Sequence, residues 1–221
     1  MKFFKKLRRF VQQITVSESK PVLTLKQLSF VRERHGIQIE PVQLLEIIQT
    51  IKPPVNFLVF GLGNDSGLWL KRNIGGRTVF IEDDPAWFDN IKQKNPILEA
   101  YLVNYGTKRT DWEMLLEEPL KLQIDLPPAI SKTKWDVILV DAPPGYADDQ
   151  PGRMKSIFLA SQLIKAGGDV FLHDCNRQIE QKYADRFFNG HDLLSETGSE
   201  VLRHYRISII DPKCKPPGWP L

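Results

Sequence analysis

The hydrophobic positions of this chain gather into short, nearly continuous runs: NFLVFG from Asn56, TVFIE from Thr78, EAYLVNY from Glu99, WDVILVD from Trp135 and GDVFLHD from Gly168. Runs with so few polar interruptions predict strands covered on both faces, and the amphipathic stretches between them predict helices. Strand–helix alternation of this kind gives a parallel sheet with right-handed crossovers. Two further helices lead in. Thr24 and Gln27 have the spacing of a capping box, with Gly36 as the stop, and Pro41 opens VQLLEIIQTI, which Pro53 and Pro54 end. Beyond the last apolar run, DLLSETG and EVLRHYRISII are separated by a few turn residues and predict a hairpin, after which the proline-rich tail from Asp211 reads as irregular.

A parallel sheet closed by an antiparallel C-terminal hairpin is the layout of the Rossmann-like class I methyltransferases. That α/β fold has a mostly parallel seven-stranded sheet with helices on both faces, whereas a dinucleotide-binding Rossmann domain repeats a second βαβαβ half. The length of 221 residues suits one such core, with lead-in helices over 21–54 and the core over 55–210 of a single domain 21–221. No apolar run approaches the roughly 18 residues of a membrane-spanning helix, and two distant cysteines, Cys175 and Cys214, suggest neither a disulfide framework nor a zinc cluster. A reducing, cytoplasmic setting is expected.

Charge changes the picture only at the N-terminus. Lys2, Lys5, Lys6, Arg8 and Arg9 carry the net charge of +3, leaving 25 basic against 27 acidic groups in the rest. With Phe3, Phe4, Leu7, Phe10, Val11 and Ile14 on one face, residues 1–20 read as a basic amphipathic helix, either touching an anionic membrane or partner or lying frayed on its own domain. The body has no basic surface for nucleic acid.

Between Phe57 and Gly67 the first sheet strand runs into a glycine turn, FLVFGLGNDSG. Gly61 and Gly63, lacking Cβ atoms, let backbone approach a ligand. A P-loop needs Lys and Ser or Thr after its last glycine, where this chain has Leu68 and Trp69; the dinucleotide fingerprint needs glycine where Ser66 stands. Glu82, closing the next strand ahead of Asp83 and Asp84, suits the hydroxyls of an adenosine ribose in either NAD or S-adenosylmethionine. The turn carries no basic group for a phosphate, which favours S-adenosylmethionine. Where methyltransferases often hold the methionine amino group with an acid two residues before the first glycine, this chain has Val59; Asp65 can replace it, cap the following helix, or do both.

Ligands of open α/β sheets bind beyond the carboxyl ends of the strands. There WDVILVDAPPGY places Asp141 and Tyr146, PGRM places Arg153 in the first turn of the next helix, and GDVFLHDCNR places His173, Asp174, Asn176 and Arg177. Asp141 or His173 can take a proton, or Asp141 can be a helix cap and His173 a buried strand histidine. Arg153 and Arg177 can grip a carboxylate by two-point contact, or Arg177 can simply pair with Glu180.

In order, FLVFGLGNDSGLW, GRTVFIEDD, the Tyr105 and Thr107 of VNYGTK, WDVILVDAPPGY, PGRM and FLHDCNRQIE resemble the motifs of the plant glucuronoxylan 4-O-methyltransferase family, the DUF579 or polysaccharide-biosynthesis domain, across Asn56 to Ile210. The resemblance implies methyl transfer from S-adenosylmethionine to a hydroxyl of a uronic acid or related sugar in a polysaccharide. It implies a cofactor set of Gly61, Gly63, Asp65, Ser66, Glu82, Asp83, Tyr105, Thr107 and Asp141, a catalytic set of Asp141, His173 and Asp174, and acceptor contacts from Tyr146, Arg153 and Arg177. The plant members carry a membrane anchor where this chain has its basic segment, which leaves peripheral membrane contact as one option beside a frayed helix on a cytoplasmic protein. Two other functions stay open: a non-catalytic polysaccharide-assembly factor of the same family, like the irregular xylem proteins, and an NAD-dependent oxidoreductase, which the hairpin disfavours. A divalent metal is a further option, since Asp141, Asp174 and Asn176 approximate the Asp, Asp-Asn set of Mg²⁺-dependent O-methyltransferases, with Cys175 interrupting the pair.

Overall fold

The computed structural model describes residues 23–208; the basic N-terminal segment, Cys214 and the proline-rich tail lie outside them. Helices α1 (Leu25–His35) and α2 (Pro41–Thr50) lead in. The capping box forms as read, with Thr24 Oγ1 accepting the Gln27 N–H and Gln27 Oε1 accepting the Thr24 N–H, and Gly36 ends α1 at φ 64°. There follow β1 (Asn56–Phe60), α3 (Ser66–Arg72), β2 (Arg77–Glu82), α4 (Pro85–Lys94), β3 (Glu99–Leu102), α5 (Trp112–Glu117), α6 (Pro128–Ser131), β4 (Trp135–Val140), α7 (Met154–Leu163), β5 (Ile164–Leu172), α8 (Gln178–Phe187), β6 (Leu193–Thr197) and β7 (Leu202–Arg206).

The strands form one sheet in the order β3-β2-β1-β4-β5-β7-β6; β1 to β5 pair in parallel, and β7 runs antiparallel to both β5 and β6. Alternation along β1 shows why the runs had to be apolar throughout. Leu58 and Phe60 face a core shared with α7 and α8, while Phe57 and Val59 face the opposite core beneath α1, α2 and α3. The order reverses at β1 and β4, so the crevice where ligands bind in open sheets opens past Phe60 and Val140. Among the described residues no helix is long and apolar enough to cross a membrane.

Two elements differ from their expected form. The β3–β4 crossover is not one amphipathic helix but α5, a 3₁₀ turn at Pro119–Leu122 and α6, because Pro119, Pro127 and Pro128 break the chain there. Strand β5 begins at Ile164 rather than Gly168: Ile164 pairs with Trp135, and the register then shifts so that Val137 meets Asp169.

A buried polar cluster pins α2 to the hairpin side of the sheet. His204 of β7 lies 2.8 Å from Asp169 Oδ1 through Nε2 and 3.2 Å from Glu46 Oε1 through Nδ1, and the Ser195 and Thr197 hydroxyls donate to Glu46. Burial pulls the His204 pKa down, but hydrogen bonds to Asp169 and Glu46 outweigh it and leave the pKa raised. Burial likewise pushes Glu46 up, and bonds from His204, Ser195 and Thr197 bring it below its usual value. A raised histidine contributes stability that is fully present below its unfolded value of about 6.5 and is lost as pH rises through the folded value. Glu46 contributes above its unfolded value and loses that contribution as pH falls. Urea midpoints measured from about pH 6 upward should therefore fall in the wild type and fall less steeply in His204→Gln; equal slopes would refute the assignment.

Candidate active site

The glycine turn is held to the sheet at its first residue. Gly61 donates its N–H to Ile81 O at 2.8 Å with φ 122°, and a Cβ there would lie 3.2 Å from the Ala142 Cβ, so both backbone conformation and space call for glycine. Ser66, buried at the start of α3, accepts the Gly63 N–H on Oγ at 3.0 Å and closes the loop from within. The side chain of Asp65 does not cap α3; its Oδ2 accepts the Trp69 indole N–H at 2.8 Å. Burial, and after it the Asp141 charge, pushes the Asp65 carboxyl up to about 6.

Glu82 lies beneath this turn. Its Oε2 accepts the Leu62 N–H at 3.0 Å and its Oε1 accepts those of Asp83 and Asp84, so the end of β2 is tied to the turn through one buried carboxylate. Asp83 is pushed up to about 6 by burial and then by the charge of Glu82, and its buried Oδ1 has no hydrogen-bond partner. Tyr105 is buried, its phenol raised by burial and by the charges of Asp83 and Glu82. Thr107 spends its hydroxyl on Pro151 O at 3.0 Å, which ties the loop after β3 to the loop after β4. Trp87, absent from the sequence reading, donates its indole N–H to Leu62 O and covers the turn at 39% exposure. Its position three residues after the Asp84 cap was visible, but the packing of α4 against the turn was not.

Past β4 and β5 the charged groups form one cluster. Asp141 Oδ1 stands 2.9 Å from His173 Nδ1, out of line for a full hydrogen bond, and 3.3 Å from Arg153 Nη2. Burial pushes Asp141 up, but a His173 ring carrying hydrogen on Nδ1 and the Arg153 charge outweigh it and hold the carboxylate below its usual range. Asp174, at φ 62°, places Oδ2 2.7 Å from Arg153 and 3.0 Å from Arg177, with Oδ1 3.6 Å from His173. The three members differ in access: the side chain of Asp141 is 25% exposed, against 4% for His173 and 5% for Asp174. His173 Nε2 faces Gln43 Oε1 at 3.2 Å, a partner from α2 that no spacing in the sequence announced.

Several expected roles change. Arg153 precedes α7 as its N-cap rather than sitting in its first turn, and it is buried. Its guanidinium donates to Pro143 O, His173 O and Asp141 O and pairs with both aspartates, so at most one of its five N–H groups is left, too few for a two-point grip on a substrate carboxylate. Arg177 pairs with Asp174 rather than Glu180 and remains about a third exposed, and Tyr146, on the loop after β4, is 76% exposed. Of the possible metal ligands, Asp141, His173 and Asp174 bring one donor atom each within 4.8 Å of one another, and Asn176 is exposed. The carboxylates of the group already face Arg153 and Arg177.

The sequence profile of the IRX15/IRX15L/GXM family matches residues 40–123 and 115–205, spanning from α2 to β7 and taking in every strand. The chain belongs to this family. Glucuronoxylan 4-O-methyltransferase 1 of Arabidopsis thaliana is 43% identical over 178 residues, which is 71% of this chain and 62% of that protein. Arabinogalactan O-methyltransferase 2 of the same plant is 40% identical over 179 residues, 70% of this chain and 61% of that protein. This IRX15/IRX15L/GXM chain thus spans about three fifths of the length of the curated relatives it matches. In fold it resembles the N-methyltransferase NodS of Bradyrhizobium japonicum WM9, with a TM-score of 0.50, 16% identity and coverage of 81% of this chain and 97% of the other. The seven-stranded sheet with its reversed C-terminal strands is the class I methyltransferase fold, as the strand pattern predicted.

Proposed function

We propose that this family member transfers a methyl group from S-adenosylmethionine to a hydroxyl of a uronic-acid-bearing polysaccharide or oligosaccharide. The observation that carries the reading is the Asp65–Asp141 pair. A Cβ on Gly63 would lie 2.8 Å from Asp65 Oδ1 and one on Gly61 3.8 Å from the Asp141 backbone, so the two acids flank the glycine turn, and the Asp141 charge adds to burial in lifting Asp65 to about 6. A pyrophosphate placed there meets repulsion from both; a ligand carrying an ammonium and a sulfonium relieves it. This favours S-adenosylmethionine over NAD.

The residues present fit that ligand. Glu82 Oε2 accepts one hydrogen bond and has capacity for another, and Asp83 Oδ1 is a buried acceptor without a donor, so both suit the hydroxyls or amino group of an adenosine. Gly61 leaves the backbone bare where a ligand must approach. When bound, the cofactor supplies an electrophilic methyl. The chain's own part is to align the acceptor hydroxyl, exclude water and take its proton, and alignment contributes much of the rate in a displacement of this kind. Asp141, the accessible member of its cluster, is placed to take that proton with His173 behind it. Tyr146 and Arg177 face the acceptor, and the names of the relatives, glucuronoxylan and arabinogalactan methyltransferases, support an acidic plant-type glycan as its class.

Transfer of labelled methyl from S-adenosylmethionine across a panel of acidic and neutral oligosaccharides tests the reading. Label should enter the uronate-bearing members. Tight binding of NADH with no binding of S-adenosylhomocysteine would overturn it. A pH dependence follows as well. Asp65 must be ionised to hold an ammonium, so below about pH 6 a proton is displaced for each ligand bound, and affinity falls by up to about tenfold per pH unit. Calorimetric titration with S-adenosylhomocysteine at several pH values should show that fall, and Asp65→Asn should flatten it.

A further inference from the structure

Gln43 sits at the third position of α2, fully buried, far from the glycine turn in sequence, yet it is in contact with His173. Its Nε2 donates to Thr197 O at 2.9 Å and Glu200 O at 2.8 Å; its Oε1 accepts the Glu40 N–H at 3.0 Å and stands 3.2 Å from His173 Nε2. These partners settle which end of the amide is which. Two carbonyls can only accept and a backbone N–H can only donate, so a flipped amide would mismatch all three. A side chain on Gly198, at φ 81°, would collide with this amide, so the hairpin loop is shaped around it. The oxygen facing His173 can therefore only accept, and His173 Nε2 must carry hydrogen. In the neutral ring the bare nitrogen is then Nδ1, the one beside Asp141.

We propose that Gln43 is a positioning residue that holds His173 in its Nε2–H tautomer, aiming the basic nitrogen at Asp141. The proposal deepens the function above and rests on its reading of the Asp141–His173 pair as the proton acceptor. When the acceptor O–H bond breaks, its electron pair stays on the sugar oxygen. The proton passes to the Asp141 carboxylate and on to Nδ1, where a new N–H bond forms. The opposite tautomer would present an N–H to Asp141 and leave nothing behind it to receive the proton. Asp141, Asp174 and, across the turn, Asp65 are the acids around the ring; Arg153 donates to the His173 carbonyl, and Gln43 orients without adding charge.

The tautomer is directly observable. In ¹⁵N-labelled protein, long-range nitrogen–proton correlation of the histidine rings, with His173 assigned by its loss in His173→Asn, should show the neutral ring protonated at Nε2 and bare at Nδ1. A neutral ring protonated at Nδ1, or a ring protonated at both nitrogens throughout the titration, overturns the proposal whether or not an acceptor glycan has been found. Gln43→Met keeps the length and removes the polar atoms. It should lose the single-tautomer signature and lower kcat roughly 10²-fold with little change in acceptor KM. Ser199→Ala weakens the neighbouring clasp of the same loop, in which Ser199 donates to Glu40, without touching the amide. It should keep both tautomer and kcat, and an equal loss in Ser199→Ala and Gln43→Met would reduce Gln43 to a tether for the loop. Absence of methyl transfer in the wild type with the Nε2–H tautomer intact would instead count against the proposed reaction alone.

Discussion

We expect Asp141→Asn to lower kcat for methyl transfer by about 10²–10⁴-fold while the protein stays folded, the range a general base contributes. Asp141 is the exposed member of a cluster whose other two acids or bases are almost wholly covered, so a substrate hydroxyl meets it first. Its lowered pKa keeps it ionised at neutral pH. Such a carboxylate is a weak base on its own, which is why His173 behind it matters: its Nδ1, 2.9 Å away, offers the proton a second acceptor. Asparagine keeps the size and can still accept from Arg153, but it cannot take a proton. Labelled-methyl assays at saturating cofactor should show the loss in kcat, which keeps it separate from any weakening of cofactor binding caused by removing one carboxylate of the Asp65–Asp141 pair. A second effect separates this cause from general damage. Without the Asp141 charge, one of the influences holding Asp65 near 6 disappears, so the pH dependence of S-adenosylhomocysteine binding should move to lower pH. A variant with kcat close to wild type would show that positioning of the acceptor carries the reaction unaided.

The residues that could be read from the sequence are those whose place depends on local pattern. The capping box at Thr24, the stop at Gly36, the strand ends that carry Glu82, Asp141 and His173, and the reversed hairpin all follow from periodicity and turn chemistry, and each appears in the fold. The motifs that resembled the glucuronoxylan methyltransferases likewise fall within the region matched by the family profile. What could not be read is who faces whom. Gln43 looks like one more polar residue on an amphipathic helix until α2 docks beside β5, and Trp87 like a helix-surface aromatic until α4 meets the glycine turn. The surroundings of Arg153 were hidden for the same reason. A sequence shows that an arginine stands near a strand end, but not how many carbonyls surround it, and the number of acceptors decides whether a guanidinium is free to bind a ligand or is itself bound.

That distinction makes Arg153 the position with the largest expected effect on stability. Its guanidinium is 6% exposed and bridges three backbone carbonyls and two aspartates drawn from the loops after β4 and β5. Removing it leaves the covered Asp174 with only Arg177 to offset its charge, takes the nearest guanidinium from the part-exposed Asp141, and leaves three carbonyls short of donors. Breaking a buried pair in this way costs about 3–5 kcal/mol, which in a domain of this size corresponds to roughly 6–20 °C in melting temperature. Arg153→Lys should recover little of that, because a single ammonium has three donors radiating from one point and cannot span acceptors arranged around a planar fork. Thermal melts of Arg153→Ala and Arg153→Lys beside wild type decide between scaffold and ligand grip. A substrate-gripping arginine would leave the melts nearly unchanged and raise the KM for acidic glycans, and that result would return Arg153 to the acceptor site. If both variants melt early, acid recognition falls to Arg177, whose guanidinium keeps an exposed edge at the rim while Asp174 holds the other.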